Sequence, residues 1–165
     1  MELETAAGPV ELRRAAEADL PDLVALLADD DLGAGREATD GDLTPYRAAF
    51  ALVDGDPAHV LVAAVADGAV VGTLQLSFLP GLSRRGALRA QIEGVRVASS
   101  VRSRGVGAAM LDWAVEEARR RGCSLVQLTT DRARGDARRF YERLGFRATH
   151  EGLKLQPPEP SGVGG

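Results

Sequence analysis

The run Arg102-Ser103-Arg104-Gly105-Val106-Gly107, continuing into Ala108, sets two full positive charges and two glycines just ahead of an apolar-periodic stretch. Residues of these types at this spacing suit an anion. Glycines let successive backbone N–H groups approach a phosphate without an intervening Cβ, and a helix N-terminus adds partial positive charge. A P-loop requires G-x-x-x-x-G-K-[ST], and no such run exists in the chain. A dinucleotide fingerprint needs a third small residue, but Gly105-Val106-Gly107 continues to Met110, too large for close helix–strand packing. Asp131 stands near the spacing of a ribose-binding acid, so that reading keeps one supporting residue. The link from strand to helix is long for it, and the chain opens with a meander instead of a βαβ unit. An anion-binding loop remains, set against a plain glycine-softened helix start with solvated arginines.

Other chemistry is sparsely supplied. Cys123 is the single cysteine, so no internal disulfide forms, and the two histidines, His59 and His150, stand far from it in sequence. No metal-ligand spacing results, and Cys123 reads as a buried or half-buried thiol. The net charge of -4 argues against a general nucleic-acid binder, although it leaves room for a local basic patch. The N-terminus "MELETAAGPV" is acidic and lacks the apolar run of a signal peptide. No stretch approaches the ~18 apolar residues of a membrane span. A cytoplasmic protein without membrane contact is the expectation.

These residues need elements to position them. At 165 residues and 45% hydrophobic composition, the chain suits one globular domain. Residues 1–8 read as a flexible N-terminus, 9–155 as the domain and 156–165, rich in proline and glycine, as a disordered tail. "VELRRA" reads as a strand. "DLPDLVALLADD" reads as a helix with Asp19 as N-cap, Pro21 in the first turn, and Leu23, Leu26 and Leu27 on one face. "TPYRAAFALV" reads as a second helix, with Thr44 as N-cap and Pro45 at its first position. Asp67-Gly68 predicts a hairpin between two apolar runs, and Leu74, Leu76 and Phe78 alternate with Thr73, Gln75 and Ser77. The next strand, "ALRAQIEGVRV", changes parity: Leu88, Ala90 and Ile92 are even, Val95 and Val97 odd. A β-bulge at Gly94 explains the change, and so does a strand buried on both faces. A helix follows the glycine loop, with Val106, Met110, Trp113 or Ala114, and Ala118 on its apolar side and Gly122 as C-cap. Then come the strand "SLVQLTT", the short helix "DARRFYERLGF" capped by Asp136 and stopped at Gly145, and one or two strands in "RATHEGLKL". The expected fold class is α/β (α+β), a mixed central sheet of six to seven strands with helices on both faces and a bulged central strand.

The R-x-x-G-x-G stretch, the bulged strand before it and "ARRFYERLGF" after it resemble the GNAT N-acetyltransferase superfamily. The second motif matches at Ala137, Phe140, Tyr141, Gly145 and Phe146. Two motifs about thirty residues apart, in the right order with the right elements between, are more specific than either alone. The resemblance spans roughly residues 9–155. It implies acetyl-CoA as co-substrate, no metal, and direct transfer of an acetyl group to a primary amine of a small molecule or peptide. The coenzyme would be held by Val95, Arg96 and Val97 of the strand and by Arg102, Ser103, Arg104, Gly105, Val106, Gly107 and Ala108 of the loop.

An alkyl amine with pKa near ~10.4 is only about 0.1% neutral at pH 7, so a proton must leave before attack. The resemblance makes Glu93 the base, acting through water; an exposed strand glutamate is the plain alternative. A tyrosine is protonated at pH 7, and Tyr141 matches the general acid for the departing thiolate; its alternative is a core aromatic. Many members carry an Asn three residues before the motif's alanine. This chain has Arg134 there, so no such role carries over. Helices near the N-terminus usually wall the acceptor site, which nominates Asp29, Asp30, Asp31, Arg36 and Glu37, or else leaves them as a solvated loop. Arg84 and Arg85 form a solvated turn or meet an acidic group. The resemblance is compatible with a homodimer joined through the final strands. A coenzyme-binding sensor or inactive partner subunit would keep the cradle without turnover.

Overall fold

The computed structural model describes residues 1–29, 37 and 41–157. Two compact units divide the chain, Met1–Leu128 and Thr129–Gly165. The first holds a six-stranded sheet whose strands lie side by side in chain order. They are β1 (Glu2–Thr5), β2 (Gly8–Arg14), β3 (His59–Ala66), β4 (Ala69–Pro80), β5 (Leu88–Val97) and β6 (Leu125–Leu128). Neighbours are antiparallel except β5 and β6, which are parallel. The mixed sheet is the expected fold class.

Helices α1 (Leu20–Ala28) and α2 (Thr44–Gly55) lie between β2 and β3, and a single turn, α3 (Ser83–Gly86), lies between β4 and β5. Helix α4 (Val106–Arg120) makes the crossover from β5 to β6, and α5 (Gly135–Arg143) belongs to the second unit. The parity of β3 separates the helices. Ala63 packs with Leu20 and Leu23 of α1, and Leu61 and Val65 join that cluster with Tyr46 and Phe50 of α2. Ala64 and Gly72, paired across β3 and β4, face Met110 of α4 instead. Helices therefore cover both faces. A Cβ at Gly72 would stand 2.9 Å from the Met110 sulfur and 3.2 Å from the Arg96 carbonyl, so α4 reaches the sheet where a side chain is missing.

Several local expectations change. Residues 1–8, expected to be flexible, contain β1, which turns into β2 through Thr5 and Gly8: the Thr5 hydroxyl donates to the Gly8 carbonyl at 2.8 Å. Four residues without an apolar run gave no strand signal, yet the ladder to β2 orders them. The strands expected in "RATHEGLKL" are absent from the described residues, where 146–157 has no helix or strand. Within the tail, 158–165 lies outside the described residues. Apolar burial on α4 includes Leu111 and Ala114, while Trp113 is half-buried. Thr44 is the first residue of α2 and not its cap; its N–H is taken by the Asp42 carboxylate at 2.9 Å. Asp136 lies inside the first turn of α5, where it pairs with Arg139. No helix among the described residues is long and apolar enough to cross a membrane.

Asp19 serves the fold differently from the simple cap expected. It ends a 3-10 turn (Glu17–Asp19), and its carboxylate accepts the Ala16 N–H at 2.7 Å. The same carboxylate accepts both Arg13 Nη atoms, at 2.7 and 2.8 Å, tying α1 to β2. Asp19 is only 8% exposed, and the hydrogen bond from Arg13 holds its carboxyl below the usual carboxylate range against the opposing effect of burial. A lowered folded pKa gives stability that is present above the unfolded value near ~3.9 and lost as pH falls through the folded value. Asp19→Ala is expected to cost about 2 kcal/mol at pH 7, because Arg13 and the Ala16 N–H lose their partner. Thermal melts should show that difference shrinking as pH falls below about 4, where Asp19 protonates first in the unfolded chain, and shrinking further as the folded carboxylate protonates at lower pH.

Candidate functional site

The site grows from the bulge in β5. Glu93 pairs with Gln75 and Arg96 with Thr73, so Leu74 alone opposes both Gly94 and Val95. Gly94 takes φ +61, a left-handed conformation that glycine adopts without steric cost. The parity break is thus a true bulge, which turns Arg96 to the face of Thr73 and leaves Val97 opposite Gly72. Glu93 and Gly94 are exposed, and Val95, Arg96 and Val97 are half-buried. A bulge also interrupts the ladder, releasing backbone groups for other partners. One has been taken up: the Val95 carbonyl accepts Arg96 Nη1 at 2.9 Å.

β5 then runs into the glycine loop. The Ala98 N–H still reaches the Val71 carbonyl at 2.8 Å, and a 3-10 turn covers Ser99–Val101. Ser103 (φ +61) and Gly105 (φ +88) are left-handed and bracket Arg104. This alternation curls the backbone into a concave nest before α4 begins at Val106. The amides of Val106, Gly107 and Ala108 fall in the first helical turn and have no intrahelical acceptor. A Cβ at Gly105 would lie 3.7 Å from the Ala6 nitrogen, so the β1–β2 turn backs the cradle. Ser103, Arg104 and Gly105 are exposed; Val106 is buried and anchors the helix start. The Arg104 N–H is bonded to the Val101 carbonyl at 3.3 Å, so the amides that fit a diphosphate are those of the first turn of α4, with the Arg104 side chain beside them.

Arg102 sits at the cradle but is already engaged. Its Nε donates to the Val97 carbonyl at 3.1 Å, and its Nη2 donates to the Asp29 carbonyl at 2.6 Å and to Asp29 Oδ2 at 3.0 Å. Asp29 Oδ2 also accepts the Ser99 N–H at 3.1 Å. Asp29, nominated for the acceptor, thus ties the end of α1 to the loop. Glu37 accepts the Tyr46 hydroxyl at 2.7 Å, and Asp30, Asp31 and Arg36 lie outside the described residues.

Tyr141 belongs to the second unit, on the last turn of α5. Gly145 (φ +90) ends that helix as a Schellman motif: the Phe146 N–H meets the Tyr141 carbonyl at 3.1 Å, and the Gly145 N–H meets Glu142 at 3.0 Å. The Tyr141 ring stands edge-on to Phe146, centroids 6.0 Å apart, and tilted against Phe140 at 5.4 Å. The motif "FYERLGF" therefore orients one phenol through its own helix stop. Arg134, where many members of the resembling family have Asn, closes a turn with its N–H on the Asp131 carbonyl at 3.0 Å. Cys123 is half-buried, and burial raises its thiol pKa, as expected of an unreactive thiol.

Sequence reading missed the polar face beside Glu93. The alternation of Thr73, Gln75 and Ser77 with Leu74, Leu76 and Phe78 was its signal. It also missed the latch from Asp29 to Ser99 and Arg102, a contact across about seventy residues that no local pattern carries. Asp29→Ala, which removes the acceptor of the Ser99 N–H, is expected to speed hydrogen exchange at that amide by about tenfold, and Arg102→Ala, which leaves that acceptor in place, by less. The double variant should exchange no faster than Asp29→Ala alone.

Residues 20–146 match the Acetyltransferase (GNAT) family. An aminoalkylphosphonate N-acetyltransferase of Salmonella typhimurium is 34% identical over 109 residues, covering 66% of this chain and 70% of that enzyme. A glucosamine 6-phosphate N-acetyltransferase of Trypanosoma brucei brucei is 35% identical over 88 residues, covering 53% of this chain and 58% of that one. A crystal structure from Bacillus halodurans C-125, described as a transcriptional regulator, superposes with a TM-score of 0.86 at 47% identity, covering 89% of this chain and 99% of its own. The matched stretch contains the bulged strand, the glycine cradle and the Tyr141 helix, and the chain belongs to the GNAT acetyltransferase family.

Proposed function

We propose that the protein transfers an acetyl group from acetyl-CoA directly to the primary amine of a small molecule. The observation that carries this reading is the continuous path of β5: an exposed carboxylate, a bulge and a phosphate-type nest follow one another within about a dozen residues. Bound acetyl-CoA supplies the acetyl group as a thioester.

The chain's own residues divide the work. Amides of the first turn of α4, Val106 to Ala108, and the charge of Arg104 hold the pyrophosphate, and Arg102 keeps the loop in shape through Asp29 and Val97. Val95, Arg96 and Val97, beyond the bulge, lie along the pantetheine arm, where a ladder-free N–H can donate to the carbonyl as it gains charge. Glu93 accepts the proton of the ammonium through water. Tyr141 donates its phenolic proton to the departing sulfur; its ring is fixed on both sides by Phe140 and Phe146. The Salmonella and Trypanosoma relatives, named for small amine substrates, support the acceptor class.

A second reading, an acyl-CoA-binding sensor, draws on the description of the Bacillus halodurans relative as a transcriptional regulator. Thiol release in the presence of an amine panel separates the two: turnover supports the transferase, and tight coenzyme binding without turnover supports the sensor. Tyr141→Phe should lower kcat by about a hundredfold with little change in acetyl-CoA affinity. Unchanged turnover would remove the phenol from the mechanism. Gly107→Glu, placing a carboxylate in the first turn of α4, should abolish acetyl-CoA binding in calorimetry, and retained binding would sink the cradle assignment.

A further inference from the structure

Beside Glu93 the sheet carries a row of side chains that the proposed chemistry does not use. Cross-strand pairing puts His59, Ser77, Gln91 and Gln127 in one register over β3, β4, β5 and β6. The next register pairs Gln75 with Glu93. All six project from the face that α1 and α2 partly cover, because His59 and Gln75 share parity with Leu61 and Ala63. Three strand spacings make the row about 14 Å long, and Glu93 lies about 7 Å from Gln91 along β5.

The row is internally ordered. His59 Nδ1 and the Ser77 hydroxyl are 2.8 Å apart, and Gln75 Nε2 donates to that hydroxyl at 3.4 Å. Gln127 Nε2 donates to Gln91 Oε1 at 2.8 Å. Carboxamides are costly on a sheet face unless hydrogen-bonded, and three of them at adjacent positions form no apolar core. Each amide both donates and accepts, as a hydroxyl does. The cations of this face are placed otherwise. Arg96, opposite Thr73, bonds the Val95 carbonyl, and Arg89, opposite Leu79, lies in the register beyond the row, about 7 Å from Gln91 and about 13 Å from Glu93 along the strand.

We propose that this row is the acceptor subsite, and that it selects an amine carried on an uncharged, hydroxyl-rich body. The amine lies at Glu93, and the hydroxyl groups exchange hydrogen bonds with Gln75, Gln91 and Gln127, while the buried Ser77 hydroxyl holds Gln75 and His59 in place. An alkyl body would offer those amides no partner beyond the bonds they already share, and an anionic one would find no lysine or arginine in the two registers. The proposal rests on the transferase reading for the amine's fate and on the row alone for the body it carries.

The test compares glucosamine, cyclohexylamine and glucosamine 6-phosphate as acceptors for wild type, Gln91→Leu and Gln75→Leu. Each variant is expected to lose at least about tenfold more in kcat/KM for glucosamine than for cyclohexylamine, mainly through KM, and the phosphorylated sugar should be no better than glucosamine. Equal losses for both amines, or a tenfold preference for the phosphate ester, would overturn the proposal. Calorimetric titration of glucosamine in the presence of CoA separates the two readings. Binding that weakens in Gln91→Leu, with no thiol release from any amine, keeps the subsite and removes the transferase. Thiol release with cyclohexylamine alongside no glucosamine binding does the reverse.

Discussion

One backbone irregularity organises the first unit. Because Leu74 faces two residues of β5 instead of one, everything before the bulge keeps one parity and everything after it takes the other. Leu74 itself is fully buried, so the doubled strand cannot slide to restore register without lifting a core side chain. Glu93 is left at the exposed edge of the irregularity, and the strand beyond is free to bend toward the loop. Without the bulge, residues 95 to 97 would continue the ladder and carry the opposite set of side chains on each face.

The loop that follows is held from three sides. The β1–β2 turn backs Gly105, the Asp29 carboxylate grips Ser99 and Arg102, and Val106 seats the helix in the core. Each contact spends a polar or apolar group that composition alone would have assigned elsewhere: an arginine that looked destined for phosphate, an aspartate that looked destined for an amine. An exposed ion pair is worth little as stability. Its use here is geometric, since a nest binds an anion only when its amides already converge.

Much of this was legible in the sequence. The hairpin at Asp67-Gly68 declared itself through two residues tolerant of positive φ, and both adopt it, at +50 and +79. Gly122 and Gly145 ended their helices as Schellman glycines, and the parity break located the bulge at the right glycine. What was not legible depends on partners distant in the chain. β1 exists because β2 offers it a ladder, and its own residues carry no strand pattern. Asp19 looked like a helix cap and is a bidentate partner of Arg13, six residues upstream on another element. The polar row beside Glu93 was visible only one strand at a time; its four-strand register is a property of pairing.

Gly72 carries a consequence for how this chain can change. The distance between α4 and the sheet is set by an absent side chain opposite Met110, whose thioether fills the space with no exposure to solvent. Positions 72 and 110 therefore share one volume. A lineage that gained a methyl group at the first would have to shed bulk at the second, or see the cradle's helix displaced from the strand that feeds it. Sequence drift at these two sites should be correlated, although neither touches a reacting atom.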